Sequence, residues 1–149
     1  MRVKSLDHIA VTVSNTERSL EFYVGMLGMV QVEQHQLPSE SISGVFGLTN
    51  ASGQSTRLSI PDSPGILIDL MEMNETQAEY AIPQLGSVGA CHMALTVEDL
   101  FETVQMLKDN GVDFISDPVT FHLTDGSVTV CFMRDPDGNF VEISEETRN

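Results

Sequence analysis

The sequence predicts an α+β fold built from two βαβββ modules, and three observations predict it. The stretch "LDHIAVTV", residues 6–13, is nearly repeated as "ACHMALTV", residues 90–97. Each copy leads into a helical pattern of similar length. Each half then ends on a matching strand, "IDLME" at 68–72 and "VEISE" at 141–145. A repeat of this kind marks a duplicated supersecondary unit. Module one spans 1–73, a connector 74–89, and module two 90–149.

In the first module, residues 6–13 alternate, with Leu6, His8, Ala10 and Thr12 on one face and Asp7, Ile9, Val11 and Val13 on the other. "SNTE", Ser14 to Glu17, fits a capping box that starts a helix. Leu20, Tyr23 and Leu27 give that helix a core-facing stripe, and Gly28 stops it. Residues 29–36 read as a strand and 38–54 as a loop with at most one helical turn. "STRLSIP" and "GILIDLMEM" read as two strands joined by a turn holding Asp62, Pro64 and Gly65.

The second module repeats the order. "ACHMALTV" is a strand. "EDLFETVQMLKDNG" is a helix with Leu100, Val104 and Leu107 on one face and Gly111 at its end. "VDFIS", "SVTVCFM" and "NFVEIS" are strands, and "DPDGN", 135–139, supplies a tight turn. Met26, Met29, Met71, Met93 and Met133 are expected to fill gaps in the core.

The 149 residues suit one compact domain or two small fused modules. A net charge of −15, from 22 acidic and 7 basic residues, argues against nucleic acid, whose phosphates need a basic face. No apolar run is long enough to span a bilayer. "MRVKSLDH" lacks the apolar segment of a signal peptide, so a cytoplasmic location is expected. Cys91 and Cys131 form no C-x-x-C pair, and both are expected to be buried, inert thiols.

Laying the halves over one another places His8 on His92, at an offset of 84, and Asp69 on Glu142, at an offset of 73. Alternation turns each carboxylate away from its apolar neighbours, and turns Glu72 and Glu145, three residues on, to the opposite face. A single His in a strand is ordinarily structural. Two at equivalent points, each with a carboxylate, need a common cause. If both modules close around one cavity, His8, Asp69, His92 and Glu142 converge on it. A divalent cation would then cancel the cost of burying the carboxylates. Nitrogen and oxygen donors without thiolate suit Fe, Mn, Ni, Co or Zn.

These residues resemble the vicinal oxygen chelate superfamily, which includes glyoxalase I, methylmalonyl-CoA epimerase, extradiol dioxygenases, and fosfomycin and bleomycin resistance proteins. The resemblance covers almost the whole chain. It rests on "LDHIAVTVSNTERSLEFYVGMLGM", with the F-Y-x-x-x-L-G ending at Phe22, Tyr23, Leu27 and Gly28, and on "FMRDPDGNFVEI". It implies a glyoxalase-like fold whose sheets form a barrel-like cleft, and a homodimer. In the lyases and isomerases the positions matching His8, Asp69, His92 and Glu142 all ligate metal. In the ring-cleaving dioxygenases a triad matching His8, His92 and Glu142 does so. Asp69 is one methylene shorter than the Glu or Gln usual in four-ligand members, which leaves three or four ligands open.

Three activities follow from the resemblance. The first is a metal-dependent isomerase, lyase or epimerase acting on a small substrate with neighbouring oxygens through a metal-stabilised enediolate, with Glu142 or Asp69 as the base. The second is an Fe(II) dioxygenase on a catechol-like substrate, with His35 and His122 as further acid–base candidates. The third is a non-catalytic small-molecule binding protein. Arg57 is the candidate to hold an anionic substrate group, although a surface cation on the sheet is the simpler expectation. Phe46 is a candidate lid residue, and His35 a candidate cleft residue for which facing solvent is the simpler expectation. Arg134, before the "DPDG" turn, is placed to pair with Asp135 or Asp137.

Overall fold

The computed structural model describes residues 2–63, 65–74 and 83–148. Part of the expected connector and Pro64 of the expected turn lie outside them. Two compact units divide the chain, Met1–Glu79 and Tyr80–Asn149. Among the described residues, no helix is long and apolar enough to cross a membrane.

The first unit runs β1 (His8–Val13), α1 (Thr16–Leu20), β2 (Val30–Leu37), α2 (Ser39–Phe46), β3 (Gly53–Ser59) and β4 (Leu67–Met73). Its sheet has the order β1-β4-β3-β2, with β1 and β4 parallel and the other pairs antiparallel. The second unit runs β5 (His92–Thr96), α3 (Leu100–Asp109), β6 (Val119–Leu123), β7 (Gly126–Arg134) and β8 (Phe140–Arg148). Its sheet has the same plan, β5-β8-β7-β6, with β5 and β8 parallel. The α+β class and the two-module plan are as the sequence predicts.

Each sheet buries one face against its own helix. In the first unit Val13, Leu58, Ile68 and Leu70 are buried, together with Phe22 and Tyr23 of the helix. In the second, Cys131, Met133, Val141 and Ile143 are buried, together with Leu100, Val104 and Leu107. A fully buried side chain of this size contributes about 2 kcal/mol relative to an exposed one. Of the expected core methionines, Met29, Met93 and Met133 are buried, while Met26 and Met71 are half-buried.

The last strand of each unit also holds the helix in place. Glu72 accepts a hydrogen bond from the Thr16 N–H at 2.7 Å, and Glu145 accepts one from the Leu100 N–H at 2.8 Å. Both amides open a helix and have no partner within it. The carboxylates also oppose the positive end of the helix dipole. The expected turn of Glu72 and Glu145 away from Asp69 and Glu142 therefore has a structural use.

Several local expectations need correction. The first helix is capped by Asn15, whose side chain accepts from the Arg18 N–H at 2.8 Å, and not by Ser14. From Glu21 to Met26 the helix widens to π geometry, and the Leu27 N–H reaches the Phe22 carbonyl. The wider turn shifts the buried stripe. Phe22 and Tyr23 are both buried, while Leu20 and Leu27 are half-exposed. Residues 39–46 form a two-turn helix, closed by Gly47 at φ +67°, where a loop was expected. "VDFIS" is not a strand: it makes one bridge, Phe114 to Met133, and the strand forms later at Val119–Leu123. Gly111, at φ +82°, reverses the chain after α3, and the Ile115 N–H donates to the Phe132 carbonyl at 2.7 Å. The "DPDGN" turn forms as expected. Asp135 accepts from the Asp137 and Asn139 amides at 2.9 and 2.8 Å. Arg134 donates to the Gly138 carbonyl at 2.6 Å and stacks over Phe140. Cys91 is exposed, against expectation, because it precedes the first residue of β5; Cys131 is buried, and burial pushes its thiol up to about 11.

Replacing Glu145 by Ala is expected to cost about 1–2 kcal/mol, the value of a charged helix cap. A lower urea midpoint at unchanged slope would show it; an unchanged midpoint would mean the contact does not hold α3. Native protein at pH 8 is expected to react with a thiol reagent at Cys91 alone, and at both cysteines after unfolding.

Candidate functional site

The face of each sheet away from its helix carries the candidate residues. Cross-strand register decides what stands beside each one. In the first unit Asp69 lies opposite Ala10 on β1 and opposite Arg57 on β3, which in turn faces Glu33 on β2. In the second unit Glu142 lies opposite Ala94 on β5 and opposite Phe132 on β7. His8 and His92 each precede the alanine by two residues and so share the face of the carboxylate.

His92 and Glu142 form a close pair, with Nε2 to Oε2 at 3.1 Å. The imidazole is 43% exposed and the carboxylate 18%. The edge of one ring meets the face of the other where His92 packs on Phe132, with centroids 5.2 Å apart. On the same face Val119, Phe121 and Leu123 of the edge strand β6 are exposed.

The first unit's face is charged instead. Arg57 donates twice to Asp69, from Nε to Oδ1 at 2.7 Å and from Nη2 to Oδ2 at 2.8 Å. That is a fork-on-fork contact, the strongest geometry available to this pair. The hydrogen bond from Arg57 holds the Asp69 carboxyl below its ordinary pKa, with burial opposing, and Arg57 is raised chiefly by the same bond. The Nη1 of Arg57 is 4.0 Å from Glu33, which is 2.8 Å from Nε2 of His35. On the other side, Nε2 of His8 is 3.8 Å from Asp69 Oδ2. Nδ1 of His8 is 2.8 Å from Asp7. A carboxylate at Nδ1 leaves Nε2 as the nitrogen that can take a metal, the arrangement common among metal-binding histidines.

The structure thus brings the four expected donors together in pairs, His8 with Asp69 and His92 with Glu142. Among the described residues, no group of three or more His, Cys, Asp or Glu side chains is close enough to hold a metal ion. Arg57 is not a bare surface charge: its Nε and Nη2 donate to Asp69, while Nη1 lies 4.0 Å from Glu33. His35 is exposed and bonded to Glu33; Phe46 is exposed at the end of α2; His122 lies on the exposed strand β6. Three participants escaped the sequence reading. Asp7 precedes the strand, so alternation does not turn it from His8. Phe132 and the Arg57–Asp69 contact depend on register, which the sequence does not print.

The chain belongs to the Glyoxalase/Bleomycin resistance protein/Dioxygenase superfamily, whose family model matches residues 5–143. It is 34% identical over 148 residues to the uncharacterized protein YwkD of Bacillus subtilis, covering 98% of this chain and 100% of that one. It is 29% identical over 136 residues to a probable lactoylglutathione lyase of Synechocystis sp., covering 91% of each. The fold is shared with a glyoxalase family protein from Bacillus cereus, at a TM-score of 0.84, 20% identity, and coverage of 98% of this chain and 96% of that one.

The lowered Asp69 fixes a pH dependence. A carboxyl whose folded value lies below its unfolded one stabilises the fold above the unfolded value. That stabilisation disappears as pH falls through the folded value. Asp69→Asn is therefore expected to flatten the acid side of the stability profile, read as the urea midpoint against pH. At neutral pH Arg57→Met is expected to cost about 2 kcal/mol, since it strands a buried carboxylate. A profile for Asp69→Asn that parallels the native one would refute the pairing.

Proposed function

We propose that this protein is a divalent-metal-dependent enzyme of the glyoxalase type, acting on a small substrate with neighbouring oxygens. One observation carries the reading. His92 and Glu142 set a nitrogen and an oxygen donor 3.1 Å apart on an open sheet face. Among the described residues, the ion-pair partner of Glu142 is His92, with no Lys or Arg. A carboxylate and an imidazole so placed, and lacking a counter-cation, suit a borderline metal such as Ni, Co, Zn, Mn or Fe. His8, oriented by Asp7, is the matching donor of the other module. His8, His92 and Glu142 would hold the metal, which supplies Lewis-acid polarisation of the substrate oxygens.

Glu142 is the base in this reading. It can take the proton α to a carbonyl, whereas Asp69 is held ionised by Arg57 and so is a weak proton acceptor. Phe132, Phe121 and Leu123 give the substrate an apolar wall, with Phe46 and His35 as further contacts. The Synechocystis relative, a probable lactoylglutathione lyase, makes a glutathione adduct the first substrate to test. A homodimer belongs to the same reading, on the family resemblance. A second reading, an Fe(II) dioxygenase on a catechol-like substrate, is favoured by the engagement of Asp69, which leaves the triad His8, His92 and Glu142.

Metal analysis of the purified protein, followed by loading with each ion, separates the readings. Bound Ni, Co or Zn, with isomerisation of the methylglyoxal–glutathione adduct, supports the first. Iron with oxygen uptake on catechols replaces it with the second. No retained metal under any loading leaves a non-catalytic binding protein. Glu142→Gln is expected to lose metal and activity together.

A further inference from the structure

We propose that the free edge of β6 is a self-association surface, where two copies of the chain pair strand to strand about a twofold axis through Phe121. The inference rests on the homodimer reading above and names its surface. Among the described residues, β6 is paired with β7 on one side and with no strand on the other. All five of its residues are exposed, with Val119, Phe121 and Leu123 at 50, 54 and 56%. Such an edge offers unpaired N–H and C=O groups to another strand, and proteins ordinarily blunt it with charge, proline or a bulge. Val119–Leu123 has none of these. The other sheet edges differ. β2 has a register irregularity between Gln31 and Glu33 and carries the Glu33 carboxylate. β1 and β5 bury Val13 and Met93.

The occupant is a second copy because the strand complements itself. Antiparallel pairing centred on Phe121 sets Val119 against Leu123 of the second copy, Thr120 against His122, and Phe121 against Phe121. Apolar side chains then meet on one face and polar ones on the other. The contact is isologous and closes at two copies. Charge points the same way. Each copy carries −15, and the strand holds no Asp, Glu, Lys or Arg, so two copies can meet there without like charges opposed. Asp117 and Asp125 lie beyond its two ends, so salt tightens the contact. Pro118, which has no N–H, and the turn at 124–125 bound the strand and hold the partner to one register. Edge pairing leaves the open face of the sheet uncovered, so the apolar wall proposed above continues across the axis. Five residues a side make a small interface, so the dimer forms and dissociates with concentration.

Sedimentation of the full chain over a dilution series up to about 1 mM, the weak end of specific association, reads the oligomeric state. The wild type is expected to pass from monomer to dimer, and at lower concentration as salt is raised. A monomer throughout overturns the proposal and the homodimer reading together. A dimer that salt loosens is held by ion pairs, and overturns the proposal. Phe121→Lys sets like charges across the axis and is expected to weaken the dimer about tenfold. A dimer unchanged by Phe121→Lys leaves the homodimer reading standing and overturns this surface. In a Cys91→Ser background, Phe121→Cys is expected to cross-link the copies on oxidation. Val119→Cys is not, because its counterpart lies opposite Leu123. Equal cross-linking by both overturns the register, and the proposal with it. Hydrogen exchange of the wild type needs no variant. The β6 amides are expected to slow as concentration rises. Amides already slow in the monomer would mean that the chain itself covers the edge, and the proposal falls.

Discussion

Each module depends on a single strand that carries two carboxylates three residues apart. In β4 these are Asp69 and Glu72; in β8 they are Glu142 and Glu145. The spacing is odd, so the pleat sends them to opposite faces. One carboxylate receives the first amide of the module's helix, and the other stands on the open face. The strand is parallel-paired to the histidine strand on one side and antiparallel-paired on the other. Helix, histidine and candidate acid are therefore referenced to one backbone, and a shift of one residue in that strand would misplace all three.

Against that shared frame the modules differ in what surrounds the acid. A guanidinium neutralises Asp69, and polar contacts run from it on one side through Glu33 to His35 and on the other through His8 to the exposed Asp7. Beside Glu142 stand the His92 imidazole and the Phe132 ring, on a face where β6 exposes Val119, Phe121 and Leu123. An acid that accepts two hydrogen bonds from a guanidinium is held ionised, as Asp69 is. The chemistry the proposal assigns to Glu142 follows from this contrast more than from the residue type, since Asp and Glu alone differ by one methylene.

Much of the frame was readable because it repeats. His8 and His92, Asp69 and Glu142, Glu72 and Glu145, and the helix faces at Leu100, Val104 and Leu107 all show as periodicity, which local pleat and helical pitch impose on sequence. What stayed hidden is set by other forces. Arg57 meets Asp69 through strand register twelve residues away. The π turn at Glu21–Met26, where Phe22 and Tyr23 are buried, changes the residues per turn and so the stripe that an α-helical period picks out. The α2 helix is rich in Ser and Gly, so its propensity is weak; its buried side chain is Ile42. "VDFIS" has strand composition but lies directly after the Gly111 reversal, and Val119–Leu123 takes the pairing place instead.

The neighbour that differs, Arg57 in one half and Phe132 in the other, has a bearing on ancestry. Two separate copies of one ancestral unit, read from a single gene, must carry the same side chain at both places. Any change that silenced one acid would silence its twin. Tandem fusion lifts that restriction, since each half then mutates on its own account. A lasting division of labour between sister carboxylates is open to the joined polypeptide and closed to an assembly of identical halves.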